Sequence, residues 1–350
     1  MTSAALLSHL GFALALALLS AAVVRATIAV KIMDLPGERS AHSVPTPRGG
    51  GLGVVAALLA GLAVLYFTAR YGRISDPYFL GAIAGLLTIA GVSLADDAFD
   101  FGFGWKLLAQ AVAAMVAIGA GLVLDVLNLP GIGPVPLGWF AIPFTFGWIL
   151  YLTNAMNFID GLNGLCAGSA AIAGLALALL AAGVGGNFVY FGGLLLAAGC
   201  LGFLPFNFPA ARIFLGDVGS QSIGYWLAIL AVAAARFETT QVSFFLVPLL
   251  LAAPIFDVGF TLLRRLRAGE KLSQAHRGHL YQVLQRSGWS ATRVTLAHWG
   301  FAVLHAVVGF RFLTAPPLGK LALGLAVLAG QVAWAVFVAR RARAAGIARW

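Results

Sequence analysis

The stretch Leu165–Phe206, LCAGSAAIAGLALALLAAGVGGNFVYFGGLLLAAGCLGFLPF, decides the fold. It holds no charged side chain, and its one polar break is the Gly-rich turn from Gly183 to Asn187. A helix needs about 20 apolar residues to cross the hydrocarbon core, so the stretch divides into two spans, near 165–183 and 187–206. Similar runs lie near 4–24, 52–69, 77–95, 105–127, 137–153, 220–236, 241–263, 296–314 and 317–339. The sequence therefore predicts an all-α, polytopic membrane bundle of about eleven transmembrane helices, or ten if 165–206 is misdivided. No repeat and no soluble domain interrupts it, so residues 1–350 read as one domain. The run Ala4–Val24 is longer than a signal-peptide core, lacks a convincing small-residue cleavage site and precedes further spans; it reads as the first helix.

Composition agrees. Hydrophobic residues make up 61% of the 350 and charged residues 10%, against roughly 25% charged in soluble domains. A water-soluble fold is excluded. The net charge of +10 sits mostly between apolar runs, which points to membrane lipid headgroups and a phosphorylated substrate rather than nucleic acid. Cys166 and Cys200 lie inside apolar stretches without metal-ligand spacing and read as buried thiols.

Lys and Arg mark the cytoplasmic loops. Counting them places the odd-numbered connections inside, including Arg48, Lys106, Arg212, the cluster from Arg264 to Arg293 and the tail from Arg340 to Arg343. The N-terminus is then outside and the C-terminus inside. The carboxylates Asp34, Asp96, Asp97, Asp100, Asp160, Asp217 and Glu270 fall on the same side, whereas Asp76, Asp125 and Glu238 are isolated on the other. The cytoplasmic mouth is where a cleft is expected.

Asp96 and Asp97 end one helix and Lys106 opens the next. Adjacent carboxylates near lipid need a divalent metal or a basic side chain to stay ionised, and Asp100 would share a helical face with Asp96. A solvated loop start is the plainer reading. Asn154, Asn157, Asp160 and Asn163 recur every third residue and predict a polar stripe on a helix, suited to ribose, uracil or a hydrated metal, or else to a packing seam. In Phe214-Leu215-Gly216-Asp217-Val218-Gly219-Ser220 an aspartate precedes an apolar helix whose N-terminus suits phosphate, although aspartate there is often a plain cap. His276-Arg277-Gly278-His279 flanks a guanidinium with imidazoles and is assigned to a diphosphate. Asp257 lies inside an apolar run, where it faces a cavity or pairs with Arg264 or Arg265 on its own helix. The loop Asp34–Gly51 carries Pro45-Thr46-Pro47-Arg48-Gly49-Gly50-Gly51, stiff and then permissive, able to fold over a site.

In this order along the chain, P-T-P-R-G-G-G, Asp96-Asp97, N-x-x-N-x-x-D-G at Asn154–Gly161, F-L-G-D-x-G-S at Phe214–Ser220 and H-R-x-H at His276–His279 resemble the polyprenyl-phosphate N-acetylhexosamine-1-phosphate transferases. That superfamily, glycosyltransferase family 4, includes the bacterial translocase that makes the first peptidoglycan lipid intermediate. The resemblance spans Asp34 to about Gly288. It implies a helical bundle in the bacterial cytoplasmic membrane, a cytoplasmic active site, and Mg²⁺ as cofactor, with Mn²⁺ as a substitute. The reactants it implies are undecaprenyl phosphate and a UDP-N-acetylhexosamine, with UMP released; a homodimer stays open. By position Asp217 and Asp97 would hold the metal, Asp96, Asp97, Asp217 and Lys106 would form the catalytic group, and Asn154, Asn157, Asp160, Asn163, His276, Arg277, His279 and Arg48 would bind substrate. Two departures, Asn163 in place of a second aspartate and Tyr281-Gln282 in place of further histidines, resemble the branch that starts O-antigen or similar polysaccharides with 6-deoxy sugars such as FucNAc or QuiNAc; GlcNAc and GalNAc stay open. From a different class, a secondary transporter would place Asp257 and the polar stripe near mid-membrane.

Overall fold

The computed structural model describes residues 2–34, 44–69, 74–99, 101–237, 242–271, 274 and 276–347. Within them most of each apolar run is helical. The helices are α1 (Ser3–Val30), α2 (Gly51–Thr68), α3 (Asp76–Phe99), α4 (Phe103–Gly119), α5 (Ala141–Phe158), α6 (Leu165–Val184), α7 (Asn187–Asn207), α8 (Gly216–Arg236), α9 (Leu246–Leu250), α10 (Ala252–Arg267), α11 (Leu280–Arg286), α12 (Ala291–Thr314) and α13 (Pro317–Ala344). Eight of these helices are long and apolar enough to cross a membrane, and α4 is a shorter apolar helix.

The 165–206 stretch divides as its glycines predict, with Gly185 in the left-handed region ending α6. The ninth run departs from expectation, breaking at Leu251 into α9 and α10. Pro254 supplies the cause, because its ring clashes with the carbonyl four residues back, at Leu250, and forces the helix to restart. The expected helix 105–127 stops at Gly119, and the chain turns through Gly121 (φ +95°) into an antiparallel hairpin, β3 (Val126–Leu129) with β4 (Gly133–Pro136). Prolines and glycines in that segment cannot prolong a helix.

Burial orders the bundle. In α8, 94% of the membrane-length window is buried, against 22% in α1 and 17% in α13. The core helix α8 is thus encircled, and the outer helices turn their leucines outward, where lipid replaces water as solvent. At one end of α8 stands Asp217; at the other, Arg236 pairs with Asp125 and donates to the Val123 carbonyl beside the hairpin. Nineteen residues of helix separate them by about 29 Å, the thickness of a hydrocarbon core. The hairpin end carries no charge from Val126 to Phe140 and exposes Ile132 (77%) and Trp139 (87%), a surface suited to the bilayer interface. Among the described residues, the candidate functional groups lie at the opposite end.

Candidate active site

The site begins where two glycine-bearing loops zip together. Phe214 N donates to the Pro47 carbonyl (2.8 Å), Gly50 N to Phe214 O (2.9 Å) and Gly51 N to Leu215 O (2.8 Å). The Thr46–Gly51 and Phe214–Gly216 segments therefore act as one rigid wall. Gly51 packs directly on α8: a methyl group there would fall 2.1 Å from Gly219 Cα. Gly216 holds φ +75°, a conformation costly for other residues, and turns Asp217 into the first turn of α8.

Asp97, 2% exposed near the end of α3, caps that turn from another helix. Its Oδ1 accepts the Asp217 amide and its Oδ2 the Val218 amide, both at 3.1 Å. Two orphan N–H groups and the positive end of the helix dipole thereby share one carboxylate. Lys106 supplies the cation. Its Nζ lies 2.7 Å from Asp96 Oδ2 and 2.8 Å from Asp217 Oδ2, joining α3, α4 and α8. The sequence allowed a metal or a basic side chain beside the Asp96–Asp97 pair, and here the basic side chain is present. Asp100 lies outside the described residues.

The predicted polar stripe is only half helical, since α5 ends at Phe158. Asn157 Nδ2 donates to Asp217 Oδ1 (2.8 Å) and Ser220 Oγ (2.9 Å), whereas Asn154 pairs with Gln110 on α4. Asp160 and Asn163 lie beyond, in a turn. Asn163 lines the larger cavity and donates to the Pro209 carbonyl; Asn207, which sequence reading passed over, ties this turn to the aspartate loop by accepting from Gly164 N (2.6 Å) and donating to Ile213 O (2.9 Å). Burial, then the charges of Asp217 and Asp97, push the Asp160 carboxyl well above the usual range. An added cation would relieve all three carboxylates together.

Asp257 is not paired with the arginines of its own helix. It accepts from Leu280 N (2.8 Å), Tyr281 N (3.0 Å) and Thr261 Oγ1 (3.2 Å), and lies 3.3 Å from His279 Nδ1. Arg265 instead pairs with Glu270 (2.8 Å), and Arg264 donates to Gly278 O (3.1 Å). The physical reason is geometric: α11 offers two uncompensated amide donors at its start, and the buried Asp257 carboxylate accepts from both, while the arginines turn to acceptors in the loop. Asp257 thus pins His276–Gln282 onto the bundle. His276 is neutral near neutrality, since burial and then the charges of His279, Arg265 and Arg264 hold its imidazole down to about 4. It can offer hydrogen bonds but little charge.

That depression sets a pH dependence. The fold favours the neutral ring, so its contribution is complete above the ordinary value of 6.5 and is lost as pH falls toward about 4. We expect His276→Gln to flatten the decline in melting temperature of the detergent-solubilised protein across that window. Parallel curves for variant and wild type would contradict it.

Two cavities meet at Asp160, Gly161 and Gln282. The larger, about 710 Å³, is polar and lined by Asp34, Arg48, Asp97, Asp217 and Arg277. The smaller, about 410 Å³, reaches Lys106, Gln110, Asn157, His276 and His279 and is rimmed by Phe101, Phe103, Leu107 and Leu262. The basic loop is thus shared, Arg277 on one side and the histidines on the other. Asp97 and Asp217 together present hard oxygen donors to the larger cavity, a set that suits Mg²⁺, which usually completes its shell with water and substrate phosphate. Among the described residues no three carboxylate, histidine or cysteine side chains form a closed cage for an ion.

The family model for glycosyl transferase family 4 matches residues 79–235, from α3 to the end of α8. The probable undecaprenyl-phosphate N-acetylglucosaminyl 1-phosphate transferase of Bacillus subtilis (strain 168) is 32% identical over 290 residues, covering 81% of this chain and 77% of that protein. The decaprenyl-phosphate N-acetylglucosaminephosphotransferase of Mycobacterium leprae is 31% identical over 336 residues, 87% of this chain and 83% of the relative. The phospho-N-acetylmuramoyl-pentapeptide-transferase of Leuconostoc citreum is 29% identical over 290 residues, 79% and 88% respectively. With carboxylates of α3 and α8 meeting a lysine of α4 inside the matched region, and similarity extending over most of both chains, the protein belongs to glycosyl transferase family 4.

Proposed function

We propose that the protein transfers an N-acetylhexosamine 1-phosphate from its UDP derivative to undecaprenyl phosphate, at the cytoplasmic face of a bacterial inner membrane. One observation carries the reading: Asp96, Asp97, Lys106 and Asp217 converge where a polar cavity adjoins one with an apolar rim. The polar cavity, with Arg48 and Arg277, suits the nucleotide diphosphate; the rim of Phe101, Phe103, Leu107 and Leu262 suits a prenyl chain arriving from the bilayer. An oxygen of the lipid phosphate attacks the sugar-linked phosphorus, the bond to the UMP oxygen breaks, and UMP leaves. A phosphate nucleophile is already ionised at neutral pH, so positioning and charge cancellation are the main tasks.

Lys106 offsets the repulsion between the incoming phosphate and Asp96. Asp97 and Asp217 would hold Mg²⁺, which when bound supplies positive charge to the diphosphate oxygens. Asn157 orients Asp217, and Arg277 and Arg48 hold the leaving diphosphate. Two relatives named for N-acetylglucosamine phosphate favour that sugar; the His-Arg-Gly-His-Leu-Tyr-Gln sequence alone favours the 6-deoxy sugars. Clustering of the polar groups at one end of α8, not at mid-membrane, gives transport no support. A panel of UDP-GlcNAc, UDP-GalNAc, UDP-FucNAc and UDP-QuiNAc, each with undecaprenyl phosphate and Mg²⁺, tests the assignment by UMP release. We expect UDP-GlcNAc to give the highest kcat/KM. A higher value with a 6-deoxy sugar would reassign the donor, and no release with any would remove the function.

A further inference from the structure

Behind Asp217, three amide side chains form a continuous hydrogen-bonded line across three helices. Gln221 Nε2 donates to Asp217 Oδ2 (3.0 Å), and Gln110 Nε2 donates to Gln221 Oε1 (3.0 Å). Asn154 Nδ2 donates to Gln110 Oε1 (2.6 Å) and to the Leu150 carbonyl (2.8 Å), while Gln110 Nε2 returns a bond to Asn154 Oδ1 (3.3 Å). Gln221 is 1% exposed and Gln110 2%.

Chemistry fixes the direction of every amide in this line. A carboxylate accepts only, so Gln221 must turn its NH₂ toward Asp217 and its oxygen toward Gln110. Gln110 must then present its NH₂ to that oxygen and its own oxygen to Asn154. The far end is also an acceptor, the Leu150 carbonyl. Both ends thus demand donors, and reversing any one amide sets NH₂ against NH₂ in a buried site, where an unmade hydrogen bond costs most. With Asn157 on Oδ1 and Gln221 on Oδ2, the carboxylate plane has one orientation.

We infer that Gln221 and Gln110 are positioning residues that lock the Asp217 carboxylate toward the larger cavity, where it meets the cation and diphosphate. The inference rests on the proposed role of Asp217. Gln221 lines neither cavity, and Gln110 borders only the smaller one. Two further helices, α4 and α5, are thereby coupled to the start of α8. Residues that orient a ligand typically change metal affinity or activity 10–100-fold when removed.

The test compares wild type with Gln221→Leu, Gln110→Leu and the double variant. Mn²⁺ binding is followed by electron paramagnetic resonance on the purified protein, and UMP release is measured against Mg²⁺ concentration. Each single variant should weaken Mn²⁺ binding and raise half-saturating Mg²⁺ by about tenfold or more, with bundle melting retained. Because the line acts as a unit, the double variant should be no worse than Gln221→Leu alone. Gln221→Met, of similar length but without the donor, should behave like the leucine variant. Unchanged Mn²⁺ binding in Gln221→Leu, or losses that multiply in the double variant, would overturn the inference. If wild type binds Mn²⁺ but releases no UMP, the transferase reading fails while the binding comparison still decides the role of the glutamines.

Discussion

Asp217→Asn should lower UMP formation on the order of 10³-fold while leaving the melting transition within a few degrees of wild type. A metal polarising a phosphoryl oxygen contributes several kcal/mol, and each 1.36 kcal/mol is tenfold in rate. The asparagine keeps the size of the side chain and its bond from Asn157, so the fold is preserved. What it loses is the charge that Lys106 and the cation share, and the acceptor that Gln221 requires. Asp97→Asn should be comparably inactive but less stable. Its carboxylate accepts two backbone amides of α8, and an amide NH₂ turned toward one of them replaces an acceptor with a donor. Activity and thermal melting measured side by side separate the two. Turnover near wild type in either variant removes that residue from the chemistry.

The second large effect comes from a residue with no functional group. Gly51→Ala would place a methyl 2.1 Å from Gly219 Cα, 2.3 Å from Gly219 N and 2.9 Å from Leu215 O. All three are backbone atoms, so none can swing aside, and α2 must separate from α8 by more than an ångström. Overpacking of this kind costs about 1–3 kcal/mol, and a displacement near 1 Å at a site of positioned charges can lower turnover about 10²-fold. Both losses are expected, read as a lowered melting temperature and a reduced kcat. Gly91→Ala is the control, because nothing lies within 4 Å of its added methyl. Equal behaviour of the two variants would show that the glycine contact does not set the site.

Much of this was legible in the sequence because a membrane imposes long apolar helices and leaves polar residues few places to stand. The turn at Gly183–Asn187 and the convergence of Asp96, Asp97 and Asp217 follow from spacing and from the side on which the charges fall. Other features depend on contacts that spacing does not encode. Asp257 carries a charge inside an apolar run, which marks it as important, but its partners are amides on a helix 23 residues later. Gln110 and Gln221 each stand singly within apolar runs; only the packing of α4 against α5 and α8 joins them. The period of three from Asn154 to Asn163 predicts one helix, but the helix stops midway, and the turn at Ile159–Gly164 places Asp160 between the cavities. The hairpin after α4 could have been inferred from Asn128-Leu129-Pro130-Gly131, residues that a helix does not tolerate together.

The central claim is that a phosphorus atom moves with the sugar. UDP-GlcNAc labelled with ³²P at the β-phosphate, incubated with the purified protein, undecaprenyl phosphate and Mg²⁺, follows that atom directly. The account predicts label in the organic-extractable lipid, in one-to-one ratio with unlabelled UMP. Label remaining in water-soluble UDP while the sugar reaches the lipid would contradict it, since the bond broken would then be the glycosidic one.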